Sequence, residues 1–124
     1  MGLDQYLMRR IDESHVVEEI YWRKANFVHR YFTEGWEERG FESDDVTEFP
    51  VSKGDLEELL ELCEVVLEDK RQAPFVLPTQ SGFFFGSTEY DSWYFDDVLY
   101  TREQLLELLD DVSDDDEFYY YAWY

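Results

Sequence analysis

Near its C-terminal end the chain reads DDVSDDDEFYYYAWY, a run of acids that passes directly into Phe118, Tyr119, Tyr120, Tyr121, Trp123 and Tyr124. This stretch constrains the fold more than any other. A solvating acidic tail does not carry so many large rings, because a chain that leaves them in water loses the burial that would order it. The aromatic part has strong strand propensity and almost no helix signal. It therefore divides into an acidic turn, which closes a preceding helix, and a terminal strand with alternate aromatics facing a core. The whole chain obeys the same logic. Of its 124 residues 44% are hydrophobic and 19% aromatic, far too many for a disordered acidic protein. That length is enough for a single domain, residues 1–124, to bury a core without staples. The acids belong on its outside.

The net charge is −21, from 31 acids against 10 bases. Residues 1–39 hold 6 bases and 8 acids, whereas residues 40–124 hold 4 bases and 23 acids, so nearly all the excess lies in the second part. Such a field repels nucleic acid and anionic membranes, attracts basic protein surfaces, and must be offset by the core. It also exceeds the roughly 2–8 units that keep a small domain soluble. No apolar run reaches the roughly 18 residues of a membrane span, and MGLDQYLMRR lacks the order of a signal peptide. A lone Cys63 can form no internal disulfide, which fits a reducing cytoplasm.

LDQYLMRR sets Leu3, Gln5 and Leu7 on one side and Asp4, Tyr6 and Met8 on the other, as a strand would. VVEEIYWRKANFVHRYFTEGW places Val17, Tyr21, Ala25, Val28 and Phe32 at helical spacing and predicts one amphipathic helix from near Ser14 to Gly35. Residues 40–50 read as a loop, with VTEFPV a short edge strand. SKGDLEELLELCEVVLED predicts a helix capped by Ser52 and Asp55, with Leu56, Leu59, Leu60, Cys63, Val66 and Leu67 inward. Its other face is a row of carboxylates: Glu57, Glu58, Glu61, Glu64 and Glu68. APFVLPTQSGFFFGSTEYDSWYF reads as strands joined by turns, and TREQLLELLDDV as a further helix begun by Thr101 and Gln104. The expectation is an α+β fold, a small antiparallel sheet packed by two or three helices.

Two constellations compete for function. Trp22, Arg23, Asn26 and His29, one helix face in this reading, stand with the segment Thr79–Thr88, including Gln80 and Ser81, as a pocket for a small ligand or an acid–base site. The plainer reading makes these residues the rim of a core, with Phe83, Phe84 and Phe85 filling it. No phosphate-loop or dinucleotide pattern accompanies the glycines, and the acidic loops lack calcium-loop spacing, so neither cofactor nor metal is expected. The second constellation is the charge itself. Carboxylates on two helices and in the loops 42–48 and 110–117, with Asp110, Asp111, Asp114, Asp115 and Asp116, can form ridges spaced like backbone phosphates. Such a surface occupies sites built for nucleic acid. The plain alternative is that acidity only confers solubility.

MGLDQYL, YWRKANFVHRYF and LPTQSGFFFGSTEYDSWYFDD together resemble a family of small proteins of bacteriophages, prophages and bacteria, marked by MGLDxYL, YWRKAN and SGFFFGSTxYD motifs. Gln5 departs from a Met, and Phe32 stands where a Trp belongs. The resemblance implies no activity or cofactor, and it carries no role for Trp22, Arg23, Lys24, Asn26, His29, Gln80, Ser81, Gly82 or Gly86. It does imply a mobile-element setting. Small acidic phage proteins resemble inhibitors of host defence, anti-restriction and anti-CRISPR proteins, several of which mimic DNA. The expectation is therefore a non-enzymatic, monomeric inhibitor in the host cytoplasm, bound to a basic nucleic-acid-handling protein or ribonucleoprotein and to neither nucleic acid nor membrane.

Overall fold

The computed structural model describes residues 2–38, 48–82 and 85–123. Strand β1 (Asp4–Arg10) pairs with β2 (Val16–Arg23), helix α1 (Asn26–Glu38) follows, and β3 (Glu48–Val51) leads into α2 (Lys53–Glu68). A 3-10 turn (Lys70–Gln72) and the short α3 (Ala73–Val76) precede α4 (Ser92–Leu109) and the final strand β4 (Glu117–Trp123). The four strands form one antiparallel sheet in the order β2-β1-β4-β3. The fold is α+β, as the sequence suggests.

The alternation in β1 sets the core. Leu3, Gln5 and Leu7 are fully buried, and the inward residues of the other strands are Ile20, Trp22, Phe49, Val51, Phe118 and Tyr120. Helices α1, α2 and α4 supply Phe27, Val28, Phe32, Leu56, Leu59, Cys63, Tyr94, Val98 and Leu105 against this face. A bulge in β2 leaves Glu19 without a β1 partner and sets Glu18 opposite Met8, while Arg9, on the inward parity of β1, lies over the Phe118 ring at 5.7 Å.

Tyr120 is the centre of the core. It is 0% exposed, stacks on Phe32 at 4.7 Å and meets Trp22 edge-on at 6.5 Å. A buried hydroxyl needs partners. Gln5 Nε2 donates to it at 3.1 Å, and it lies 2.9 Å from His29 Nδ1. The same Gln5 side chain accepts from Ala25 N–H and donates to Ala25 C=O, both at 2.8 Å, so the β2–α1 junction is pinned to β1.

Three expectations need correction. Residues 16–23 form a strand and the helix begins only at Asn26. The segment carries apolar residues at both periods. Pairing with β1 across the turn closed by Ile11 N–H to His15 C=O (2.9 Å) decides for the strand, and Lys24, at φ 56°, breaks the chain before the helix. Residues 73–90 hold no strand among the described residues. The last helix starts at Ser92, capped by the Asp91 carboxylate accepting from Tyr94 N–H at 3.1 Å, and Thr101 lies inside it, fully buried. Its aromatics lend themselves to strand or helix alike, and the inward series Tyr94, Val98, Thr101, Leu105 and Leu108 decides for helix. The acid loop at 42–47, Phe83, Phe84 and Tyr124 lie outside the described residues.

Candidate protein-interaction site

Because α2 turns Leu56, Leu59, Cys63 and Val66 inward, Glu57, Glu58, Glu61 and Glu68 are exposed. The helix begins as the sequence requires, with Ser52 and Asp55 completing a reciprocal cap. Glu64 is half-buried and lies 3.7 Å from Arg102 of α4. That pair, with Lys70 Nζ 4.9 Å from the Phe95 ring centre, shows α2 and α4 running antiparallel. The end of α4 and the acidic turn after it therefore lie at the start of α2. Asp114 and Asp116 share a depression of about 410 Å³ with Glu48, Ser52 and Glu117. The two acid sets meet at this end only, since Glu68 lies roughly 16 Å further along the helix than Glu57.

The acids differ in what they already do. Asp116 accepts from Ser113 N–H at 2.9 Å and from Arg9 at 2.8 Å, and these bonds hold its carboxyl below the usual range. It is a fixture of the turn. The described arginines are each occupied: Arg9 with Asp116, Arg10 with Glu48 and Glu117, Arg23 with Asp4, Arg30 with Glu34, Arg71 with Asp69 and Arg102 with Glu64. Among the described residues, Glu57, Glu61, Glu68, Asp110, Asp111, Asp114 and Asp115 make no ion pair. Asp110 and Asp111 also follow the C-terminal end of α4, where no base stands in the last turn. Negative charge there opposes the helix dipole, at about 0.3–1 kcal/mol each.

The other constellation is divided by the fold. Trp22 and Arg23 end β2, with opposite orientations. Trp22 is buried and donates to Thr101 Oγ1 at 2.9 Å, whereas Arg23 is exposed and pairs with Asp4 at 3.1 Å. His29 is buried between Phe85 and Tyr120, ring centres 5.2 and 5.7 Å away, and desolvation lowers its pKa to about 4. Since Ala25 N–H fixes which end of Gln5 is the oxygen, Nε2 donates to the Tyr120 oxygen. The same hydroxyl lies 2.9 Å from Nδ1 of a neutral His29.

Asn26 ties this region to the 79–88 segment. Its amide donates to the Phe85 and Ser87 carbonyls and accepts from Gln80 N–H at 3.1 Å. Arg30 donates to Thr79 C=O at 2.9 Å, and Ser81 is exposed. The two regions touch, but Trp22 and His29 face the core. A groove of about 470 Å³ between α1, β3 and α2 is lined by Arg30, Tyr31, Trp36 and Glu58 and by none of Trp22, His29, Gln80 or Ser81. Burial pushes the Cys63 thiol up to about 12, which leaves it a packing residue. No group of three or more acids, histidines or cysteines among the described residues is arranged to hold a metal, and no described helix is long and apolar enough to cross a membrane.

One surface escaped sequence reasoning. The outward side of the sheet carries a cross-strand row of Tyr21, Tyr6, Tyr121 and Glu48, with Met8 and Tyr119 in the next row. The Tyr6 ring lies 5.3 Å from that of Tyr21 and 5.9 Å from that of Tyr121. Tyr6, Met8, Glu18, Glu48, Tyr119 and Tyr121 line a shallow depression of about 400 Å³ to which no described helix contributes. Trp123 at its end is 67% exposed. The signal was present in the parity of FYYYAW, whose Tyr119, Tyr121 and Trp123 match the Tyr6 side of β1. No protein family, curated protein or solved structure compared with the chain matches it.

Proposed function

We propose that the protein is a non-enzymatic inhibitor that binds a basic, nucleic-acid-handling protein through its carboxylate surface. The observation that carries this reading is the set of exposed, unpaired carboxylates on α2 and after α4, two of them kept at a helix end that disfavours them. Solubility alone asks for no such placement. Fixed carboxylates on helices and on a tied turn can displace counterion-shedding lysines and arginines from a nucleic acid. The motif resemblance adds a mobile-element setting, so a partner in host defence, a restriction or CRISPR component, is the reading's specific form. Glu57, Glu58, Glu61, Asp110, Asp111, Asp114 and Asp115 do the binding, with Glu64 and Glu68 extending the row. Asp116 holds the turn.

The test is capture of basic partners from host lysate at low and high salt, followed by binding to the isolated partner. Affinity is expected to fall steeply with salt. Glu57→Lys with Glu61→Lys, and Asp111→Lys with Asp114→Lys, are expected to abolish inhibition while leaving the thermal transition in place. Salt-independent binding, or full inhibition by both double variants, overturns the reading.

A further inference from the structure

We infer that the open face of the sheet is a second docking surface, and that its occupant is an arginine-rich extended segment of the basic partner. This deepens the reading above and rests on it for the partner's charge. The chemistry is visible in how the face treats the chain's own arginines. At one end Arg10 lies 5.3 Å from the Tyr119 ring centre, with Glu48 and Glu117 at 3.5 and 3.8 Å. At the other end Arg23 pairs with Asp4 at 3.1 Å, and the Tyr21 hydroxyl donates to the same Asp4 oxygen at 2.6 Å. Arg10 is thus held by a tyrosine ring and two carboxylates, and Arg23 by a carboxylate that a tyrosine hydroxyl shares, the surroundings that suit a planar, weakly hydrated cation.

Between them lie Tyr6, Tyr121 and Met8, flanked by Glu18 and Glu48, the same combination of rings and acids. No base of the described residues pairs with Glu18. Burial and then Asp4 and Glu18 push the Tyr6 phenol above its ordinary value, so it adds no charge of its own to the face. Charge selects among occupants. A row of aromatics on a sheet is also how single-stranded nucleic acid is stacked, but that chemistry needs basic side chains around the rings. A second copy brings another −21 against the first. An arginine-rich strand meets neither obstacle.

The experiment titrates the whole protein with nona-arginine and nona-lysine peptides at low and moderate salt, following Tyr and Trp fluorescence. Three variants accompany it: Tyr6→Thr with Tyr121→Thr, Glu18→Gln, and the α2 variant Glu57→Lys with Glu61→Lys. Thermal melts screen each for folding, and the Glu18 variant, at an exposed residue, keeps the test open if the tyrosine variant unfolds. The expected result is arginine binding at least fivefold tighter than lysine. It should weaken tenfold or more in the tyrosine variant and severalfold in Glu18→Gln, with the arginine preference intact in the α2 variant. Equal binding of both peptides, lost only in the α2 variant, overturns the sheet-face inference and leaves the acidic-helix reading standing. Absence of binding to either peptide at low salt overturns both. Binding of oligo-dT that is lost in the tyrosine variant overturns both as well. A dimer that the tyrosine variant dissolves assigns the face to a second copy and overturns the inference alone.

Discussion

Tyr120 and Tyr121 are neighbours in the chain and opposites in the fold. Tyr120 is wholly buried, its hydroxyl engaged with Gln5 and His29 and its ring stacked on Phe32. Tyr121 points the other way, half-buried beside Tyr6, with Glu48 across from it. The two faces of one sheet thus use the same residue type for different ends. Inside, tyrosine lets a polar junction be buried without an orphaned group. Outside, it offers ring faces to solvent among carboxylates. Residue type alone tells nothing about which face it serves; parity along the strand does.

The contrast can be broken most forcefully at Tyr120. Tyr120→Ala is expected to cost about 3–5 kcal/mol in urea melts. Tyr120→Phe is expected to cost about 1–3 kcal/mol, because the Gln5 amide loses an acceptor. Tyr121→Phe should move stability by no more than about 0.5 kcal/mol. Equal losses at 120 and 121 would remove the distinction.

Acid sharpens the same contrast through His29. Its folded pKa of about 4 lies below the ordinary 6.5, so between these values the unfolded chain binds the proton and the folded chain does not. The stabilising term is present in full above pH 6.5 and is lost as the pH falls towards 4, by up to about 3 kcal/mol. His29→Gln should flatten that slope while the wild type keeps it.

Asp97 works in the opposite sense. Burial, then Asp96 and Asp91, raise its carboxyl to about 6, so the folded chain holds the proton more tightly and stability is lost as the pH rises from 3.8 to 6. Allowing for solvent screening the effect is about 1 kcal/mol. Asp97→Asn should raise the melting temperature at pH 7 and leave it unchanged near pH 3. A small effect belongs to the acids after α4. Asp110→Lys or Asp111→Lys should stabilise by about 0.3–1 kcal/mol through the helix dipole, while weakening partner binding. A variant that gained stability and kept full inhibition would separate these acids from the binding role.

Much of the frame was legible in the sequence. The alternation of Leu3, Gln5 and Leu7, the Ser52–Asp55 cap with its leucine stripe, and the strand propensity of FYYYAW each carry one unambiguous period. Val16–Arg23 did not, because its apolar residues satisfy a helix and a strand together, and a partner strand remote from the helix made the choice. The 79–88 segment was opaque for another reason. Its conformation is imposed by Asn26 and Arg30 from outside, and Gly86, at φ 86° with the Lys24 side chain only 3.2 Å from where a Cβ would sit, accepts no other residue without strain. As for the candidate site, the acid rows could be read directly, but the role of Asp116 as a turn fixture and the inwardness of Trp22 and His29 depend on contacts far along the chain.

Strand β4 lies between β1 and β3, although it comes after both in the chain. During synthesis the first three strands are therefore made with the place between them unfilled. β1 then has only β2 beside it, and Gln5 and His29 lack the hydroxyl that joins them. A ribosome adding about 5–20 residues each second must reach Trp123 before the sheet can close. Nascent chains stalled earlier display the bare inner edge of β1, and they do so alongside a dense acidic stretch that repels other copies. The excess negative charge thus also sets unfinished chains against association with their own kind.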